Sequence, residues 1–415
     1  MIDDASGEAY LSRQPILDLR EDLIGYELLP QADGDGTGRH LPADAAMLVC
    51  AVYAELDVRS ALGRHKAFLR VTPEFLHDDA IEALPADSVV LQLMPEQAPD
   101  EKTLERCRLL RERRYSLALV GYEGLDERNS PLLTMVDFIK IDAGDKDARQ
   151  LLALAGPLAR LPIKLIAQGV KTRDDFMRCR GSGFQYFQGY FFARPEIVSG
   201  RRLTASQANL IRLVNLAAHD ADTNRIEEGI KHDPALAIKL LSIVNSVAYG
   251  FPKRISSLRQ AVVALGRRQL RRWLHLLLMT PVGKAPDANR TPLLQVAALR
   301  GRMLEILIGC LRPGDVELAG QAFITGLMSM MPAALGMPMD EIFEQIVLEQ
   351  EIVAALQSYQ GLLGRMLALI ECYDSEKADE CDRILSEFGD SGMDRSMLNA
   401  CLMDSLRWIN AGDES

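Results

Sequence analysis

The chain is poor in the features that usually announce chemistry or compartment. Its seven cysteines are scattered, odd in number and include no CxxC pair. Free thiols in a reducing cytoplasm are the simplest account of that pattern. No apolar run approaches the roughly 18 uninterrupted residues of a transmembrane helix. The opening segment MIDDASGE lacks the basic and apolar regions of a signal peptide, so the expected location is cytoplasmic. Basic charge is in deficit: the formal net charge of -11 argues against broad attraction to nucleic acid or an anionic membrane. There is no GxSxG elbow, P-loop or HExxH motif, no internal repeat and no low-complexity tract.

What remains is an ordinary globular composition, 48% hydrophobic and 25% charged over 415 residues, a length that favours two or three domains. The first half alternates β-rich runs with helical stretches. Strands are expected at 10–18, 23–29, 67–72, 88–94, 115–120, 136–142, 163–168 and around 184–188, with helices at 44–61, 101–112 and 145–161. Such alternation implies an α/β fold with a mostly parallel sheet, open or closed as a barrel, whose working residues sit at the C-terminal ends of strands. Beyond about residue 200 strand signals stop and helical periodicity runs to the end. The segment 195–205 (PEIVSGRRLTA) reads as a linker. The expected domains are therefore 1–199 and 200–415.

The stretch from Ile226, IEEGIKHDPALAIKLLSIVNSVAYGFPKRISSLRQAVVALGRRQL, is the most patterned in the helical half. Asp233 is placed to cap a helix with Pro234 at its first position. Leu236, Leu240, Ile243 and Val244 fall on one stripe, and Gly250 supplies a helix stop. Ser256 or Ser257 caps the next helix, with Val262, Val263 and Leu265 on its apolar face. Asn245, Ser246 and Tyr249 read as a packed turn with local hydrogen bonds. In their order and spacing, Asp233-Pro234, Asn245-Ser246, Tyr249-Gly250, Ile255, Gln260-Ala261 and Leu265-Gly266 resemble the HDOD domain. That resemblance implies an all-helical signalling module related to HD phosphohydrolases but without their metal ligands.

The first half resembles an EAL domain over residues 8–198. The anchors are RQPILD (13–18), GYELL (25–29), VTPEFL (71–76), DFIKID (137–142), AQGVK (167–171) and FQGYFFARP (187–195). Joined to an HDOD half, this resembles the two-domain EAL–HDOD signalling proteins. The resemblance implies a TIM-like barrel and, in active members, hydrolysis of cyclic di-GMP on two divalent metals. Two-metal cleavage requires hard oxygen ligands. By resemblance Glu27, Lys140 and Gln188 keep the family residue. The other positions depart: Arg70 replaces an asparagine, Gln92 a glutamate, Val120 and Gly121 the paired aspartates, Gln168 and Lys171 two glutamates, and Gln31 an arginine. Glu123 lies near the lost pair as an alternative ligand. A buried Glu27–Lys140 ion pair is the structural alternative to any ligand role.

The helical half lacks HD chemistry as well. The His–Asp positions of that superfamily fall on Ser329 and Met330, and His232-Asp233 sits at a helix start. The run Arg267, Arg268, Arg271 and Arg272 is expected to be a solvated or protein-binding face rather than a phosphate-contacting one. The resulting expectation is a degenerate EAL barrel with no metal or other cofactor and no catalytic residue, acting through protein partners in cyclic di-GMP signalling. The alternatives are a sensor that binds cyclic di-GMP without cutting it, and a phosphodiesterase with relocated ligands. Homodimerisation stays open.

Overall fold

A computed structural model describes residues 10–31, 65–94, 98–126, 129–194, 203–218, 223–245, 255, 257–279, 292–375, 377–389 and 393–410. Eight strands close into a barrel in chain order: β1 Tyr10–Asp18, β2 Leu23–Gln31, β3 Lys66–Arg70, β4 Val89–Leu93, β5 Ser116–Val120, β6 Phe138–Asp142, β7 Lys164–Gln168 and β8 Tyr186–Gln188. Each expected strand is present. The expected helix at 44–61 lies outside the described residues, whereas α1 Glu101–Glu112, α2 Ala148–Ala155 and α3 Arg173–Gly181 follow β4, β6 and β7. Their starts are chemically fixed. Asp100 accepts the Thr103 N–H at 2.8 Å, and Asp147 with Gln150 and Thr172 with Asp175 form capping boxes.

One strand departs from the parallel pattern. β1 runs antiparallel to both β2 and β8. The cause is the link between β1 and β2, four residues long. Asp18 Oδ1 accepts the N–H of Arg20 at 2.8 Å and of Asp22 at 2.9 Å, and Glu21 takes a positive φ of 63°. A parallel crossover needs about a dozen residues, so so tight a turn returns the chain as a hairpin.

Side chains alternate across a strand, so residues two apart share a face. Inside the barrel, Ile16, Phe68, Val90, Ala118, Phe138 and Ile166 form one buried apolar layer. The rings of Phe68 and Phe138 meet edge-on, with centroids 5.4 Å apart. One step of two along the parallel strands leads to Arg70, Gln92, Val120, Lys140, Gln168 and Gln188. The same alternation therefore places a polar ring directly above the apolar floor.

Beyond Arg194 every regular element among the described residues is a helix. The helices include α4 Ala205–Ala218, α5 Thr223–Lys231, α6 Pro234–Val244, α7 Leu258–Leu278, α8 Pro292–Leu311, α9 Val316–Met328, α10 Gln350–Ser358, α11 Gly361–Asp374, α12 Ala378–Ser386 and α13 Arg395–Asn410. Asp233 caps α6 through the Leu236 N–H at 3.1 Å, and Ser257 caps α7 through the Gln260 N–H at 3.2 Å. Leu236, Leu240 and Val244 are buried on the expected stripe. Val263 is not part of an apolar face: it is 66% exposed, while Val262 and Leu265 point into the core. At Gly266, φ 74° and ψ 158° break α7 into two helical pieces. No L side chain adopts that conformation without strain. α8 and α9 cross closely because Gly301 faces Gly326; a Cβ on Gly326 would lie 2.7 Å from the Gly301 Cα.

The compact units do not follow a single cut. The first is Met1–Arg194 together with Glu371–Ala411, and the second includes Pro195–Ile370. The expected change near residue 200 is close to the first cut, but the last helices cluster with the barrel, where α13 packs on β1. Among the described residues, no helix is long and apolar enough to cross a membrane.

Candidate functional site at the barrel mouth

The polar ring converges on one carboxylate. Glu27, on β2, is fully buried, as are Gln92, Lys140 and Gln188. Its Oε1 accepts from Arg70 Nε at 3.2 Å and from Gln92 Nε2 at 2.8 Å. Its Oε2 meets Lys140 Nζ at 3.1 Å and accepts a short hydrogen bond from Gln188 Nε2. Gln188 Nε2 also donates to Gln14 Oε1 at 2.7 Å, which brings β1 into the network.

The electrostatics follow from that packing. Burial disfavours a charged carboxylate, but Lys140, Arg70 and the two amides outweigh it and hold Glu27 down at about 2. Burial pulls Lys140 down to about 8; Glu27 opposes that shift and Arg70 adds to it. Two cations thus share the Glu27 carboxylate.

The other candidate positions separate. Val120 lines the ring without a polar atom, Gly121 is exposed, and Gln168 is half-buried at the end of β7. Lys171 is exposed; its backbone N–H donates to Asp175 Oδ2 at 3.2 Å, and its ammonium has no carboxylate partner among the described residues. The structure therefore does not bring Lys171 to Glu27. Glu123 is exposed too. The side chain of Gln31 lies outside the described residues. Reasoning from the sequence did not single out Asp142, the next carboxylate up the β6 wall. It is exposed and accepts the Gly144 N–H at 3.0 Å. Its place two residues beyond Lys140 was the signal available.

A two-metal centre does not fit these donors. Both Glu27 oxygens are engaged, Oε1 by Arg70 and Gln92 and Oε2 by Lys140 and Gln188. Among the described residues no group of three or more His, Cys, Asp or Glu is placed to hold a metal ion.

In the second unit, Asn245 bonds to the backbone of Leu241 and Ile255. Its Nδ2 donates to Leu241 O and Ile255 O, each at 2.8 Å, and its Oδ1 accepts the Ile255 N–H at 2.8 Å. Asp233 Oδ2 also accepts from Ser206 Oγ at 2.9 Å. Pro234 opens α6, while Ser246, Tyr249 and Gly250 lie outside the described residues. Ser329 Oγ accepts from Arg300 Nη1 at 2.9 Å and donates to Gly326 O at 2.7 Å, and Met330 is buried. Of the arginine run, Arg271 pairs with Glu349 at 2.8 Å, and Arg272 pairs with Glu305 while lying over the Phe323 ring at 4.0 Å.

The architecture defined here is a TIM-like barrel together with a helical region, part of which matches a known family. Residues 203–357 match the family model described as the HDOD domain. Over nearly its whole length the chain is similar to the uncharacterized protein YuxH of Bacillus subtilis (strain 168). Identity is 23% over 408 residues, covering 97% of this chain and 98% of that protein. It is similar likewise to the cyclic di-GMP phosphodiesterase CdgJ of Vibrio cholerae, with 28% identity over 414 residues covering 98% and 93% of the two chains. A solved standalone EAL protein from Vibrio cholerae O395, bound to c-di-GMP, shares 20% identity. It covers 47% of this chain and 93% of its own, with a TM-score of 0.37.

Proposed function

We propose that this chain is a non-hydrolysing signalling protein of a cyclic di-GMP pathway that works through protein–protein contacts. The single observation that carries the reading is the saturation of Glu27. Its two oxygens are taken by Arg70, Gln92, Lys140 and Gln188, so the ring offers no free carboxylate to a metal. Without metals there is no Lewis acid and no activated water for phosphodiester cleavage. The similarity to CdgJ, itself named a cyclic di-GMP phosphodiesterase, supports the pathway. In this assignment 1–199 is the degenerate EAL domain and 200–415 carries the HDOD domain, each a surface for partners. The test is product formation from cyclic di-GMP with Mg²⁺ or Mn²⁺. We expect none; turnover that disappears in Glu27→Ala would overturn the reading.

A second reading rests on the cations of the ring. Arg70, 11% exposed at the mouth, carries a guanidinium suited to cyclic di-GMP phosphates without metal. Titration calorimetry in EDTA separates the two readings. Binding weakened by Arg70→Ala makes the barrel a sensor, and no heat with or without Mg²⁺ leaves it a scaffold.

A further inference from the structure

The second unit contains a cleft of about 240 Å³ walled by α7, α8 and α9. Three guanidinium groups reach it: Arg268 and Arg272 from α7, and Arg312 from just beyond the end of α8. Two carboxylates also line it, Glu305 paired through both oxygens and Asp315 engaged through one. Glu305 Oε1 is held by Arg272 and its Oε2 by Arg302 Nη1 at 2.7 Å. Asp315 Oδ1 accepts the Leu318 N–H at 3.0 Å as the cap of α9. Arg268 and Arg312 pair with no carboxylate among the described residues, and Arg272 keeps its Nε buried without an acceptor. The space between them is open, because a Cβ added at Gly309, Gly314 or Gly320 would meet no atom within 4 Å.

We propose that this cleft binds a compact phosphate-bearing anion, with Arg268 and Arg312 as its charge partners. Guanidinium forks match phosphate oxygens in charge and geometry. The volume lies below the roughly 300 Å³ at which sites for drug-sized ligands begin, which suits a phosphate or pyrophosphate group rather than a large ligand. A concave site in a chain of net charge -11 also disfavours a nucleic-acid duplex.

The test uses the full chain in EDTA at low salt. Inorganic pyrophosphate, inorganic phosphate and guanosine 5′-monophosphate are titrated by calorimetry and by thermal shift. We expect saturable pyrophosphate binding that weakens as salt is added. It should fall at least tenfold in the double variant Arg268→Ala/Arg312→Ala. Gly320→Leu, which fills the cleft and leaves every arginine in place, should lose binding equally and keeps the test sharp if the double variant folds poorly. Arg383→Ala, which alters an exposed arginine elsewhere, should bind as the wild type does. Tighter binding of guanosine monophosphate than of pyrophosphate would assign the phosphate to a nucleotide, and the reverse order to a free anion. No saturable binding by the wild type, or binding that survives both cleft variants, overturns the proposal.

Discussion

Arg70 Nε donates to Glu27 Oε1 at 3.2 Å, and the opposite oxygen of the same carboxylate meets the Lys140 ammonium at 3.1 Å. One buried anion therefore neutralises parts of two cations that belong to two other strands. Removing the anion and removing one cation are not symmetrical operations.

Glu27→Gln should be the costlier change. It leaves the fully buried Lys140 without the carboxylate it pairs with, a loss on the order of 3–5 kcal/mol. Arg70→Gln leaves Glu27 paired with Lys140 and should cost about 1 kcal/mol. Urea denaturation of both variants measures the difference. Equal losses would show that the ring does not share its charge as described.

Gln92→Glu places a second carboxylate beside Glu27, where an amide now donates at 2.8 Å. The hydrogen bond becomes a like-charge contact, which raises a carboxyl pKa or recruits a cation. Combined with Val120→Asp, it should create a chain whose melting temperature rises on adding Mn²⁺, while the wild type shows no change. A Mn²⁺-dependent rise in the wild type would contradict the metal-free ring.

His275 gives the second unit an acid limit. Burial lowers its pKa from 6.5 to about 4, and Nδ1–H donates to Arg271 O at 2.7 Å. Below pH 6.5 the unfolded chain takes up a proton that the folded chain refuses until about pH 4. Stability is thus present above pH 6.5 and falls as pH drops through that window, by about 3 kcal/mol in all. His275→Gln should flatten that part of the stability-versus-pH curve. Glu27 acts lower, between its ordinary carboxyl range and about 2, so the two windows separate in an acid titration.

Gly266→Ala should destabilise by about 1–3 kcal/mol, since φ 74° and ψ 158° lie in a region open essentially to glycine alone. A Cβ there meets no neighbour within 4 Å, so the cost is purely backbone. A neutral substitution in thermal melts would mean that α7 straightens instead.

Proteolysis within 196–205 should cut the chain without releasing two separate bodies. Residues 371–411 are joined in sequence to the second unit but cluster with the first. Nicked fragments should co-elute in native gel filtration and part only in denaturant. Separation under native conditions would place 371–411 with the second unit.

Much of this fold was legible in the sequence because strand period and turn residues are local signals. The step from Phe68 to Arg70, or from Phe138 to Lys140, is visible as soon as the strand is recognised. The reversal of β1 was harder, since Asp18 and Glu21 settle it through a turn that hydrophobic periodicity does not register. The placement of 371–411 was invisible for a different reason: an amphipathic helix shows which face it buries, not which core receives it. The partners of Glu27 needed three dimensions, because Arg70, Gln92, Lys140 and Gln188 lie 43 to 161 residues away in the chain.

The two-residue offset between floor and ring has a consequence for how such a barrel changes over time. The side chains that fill the closed sheet and those that face the mouth occupy alternate positions, so either set can be rewritten while the other is left alone. A charge exchanged at Arg70, Gln92 or Lys140 leaves the Phe68–Phe138 layer untouched, so the barrel can keep its shape while its mouth takes on another character.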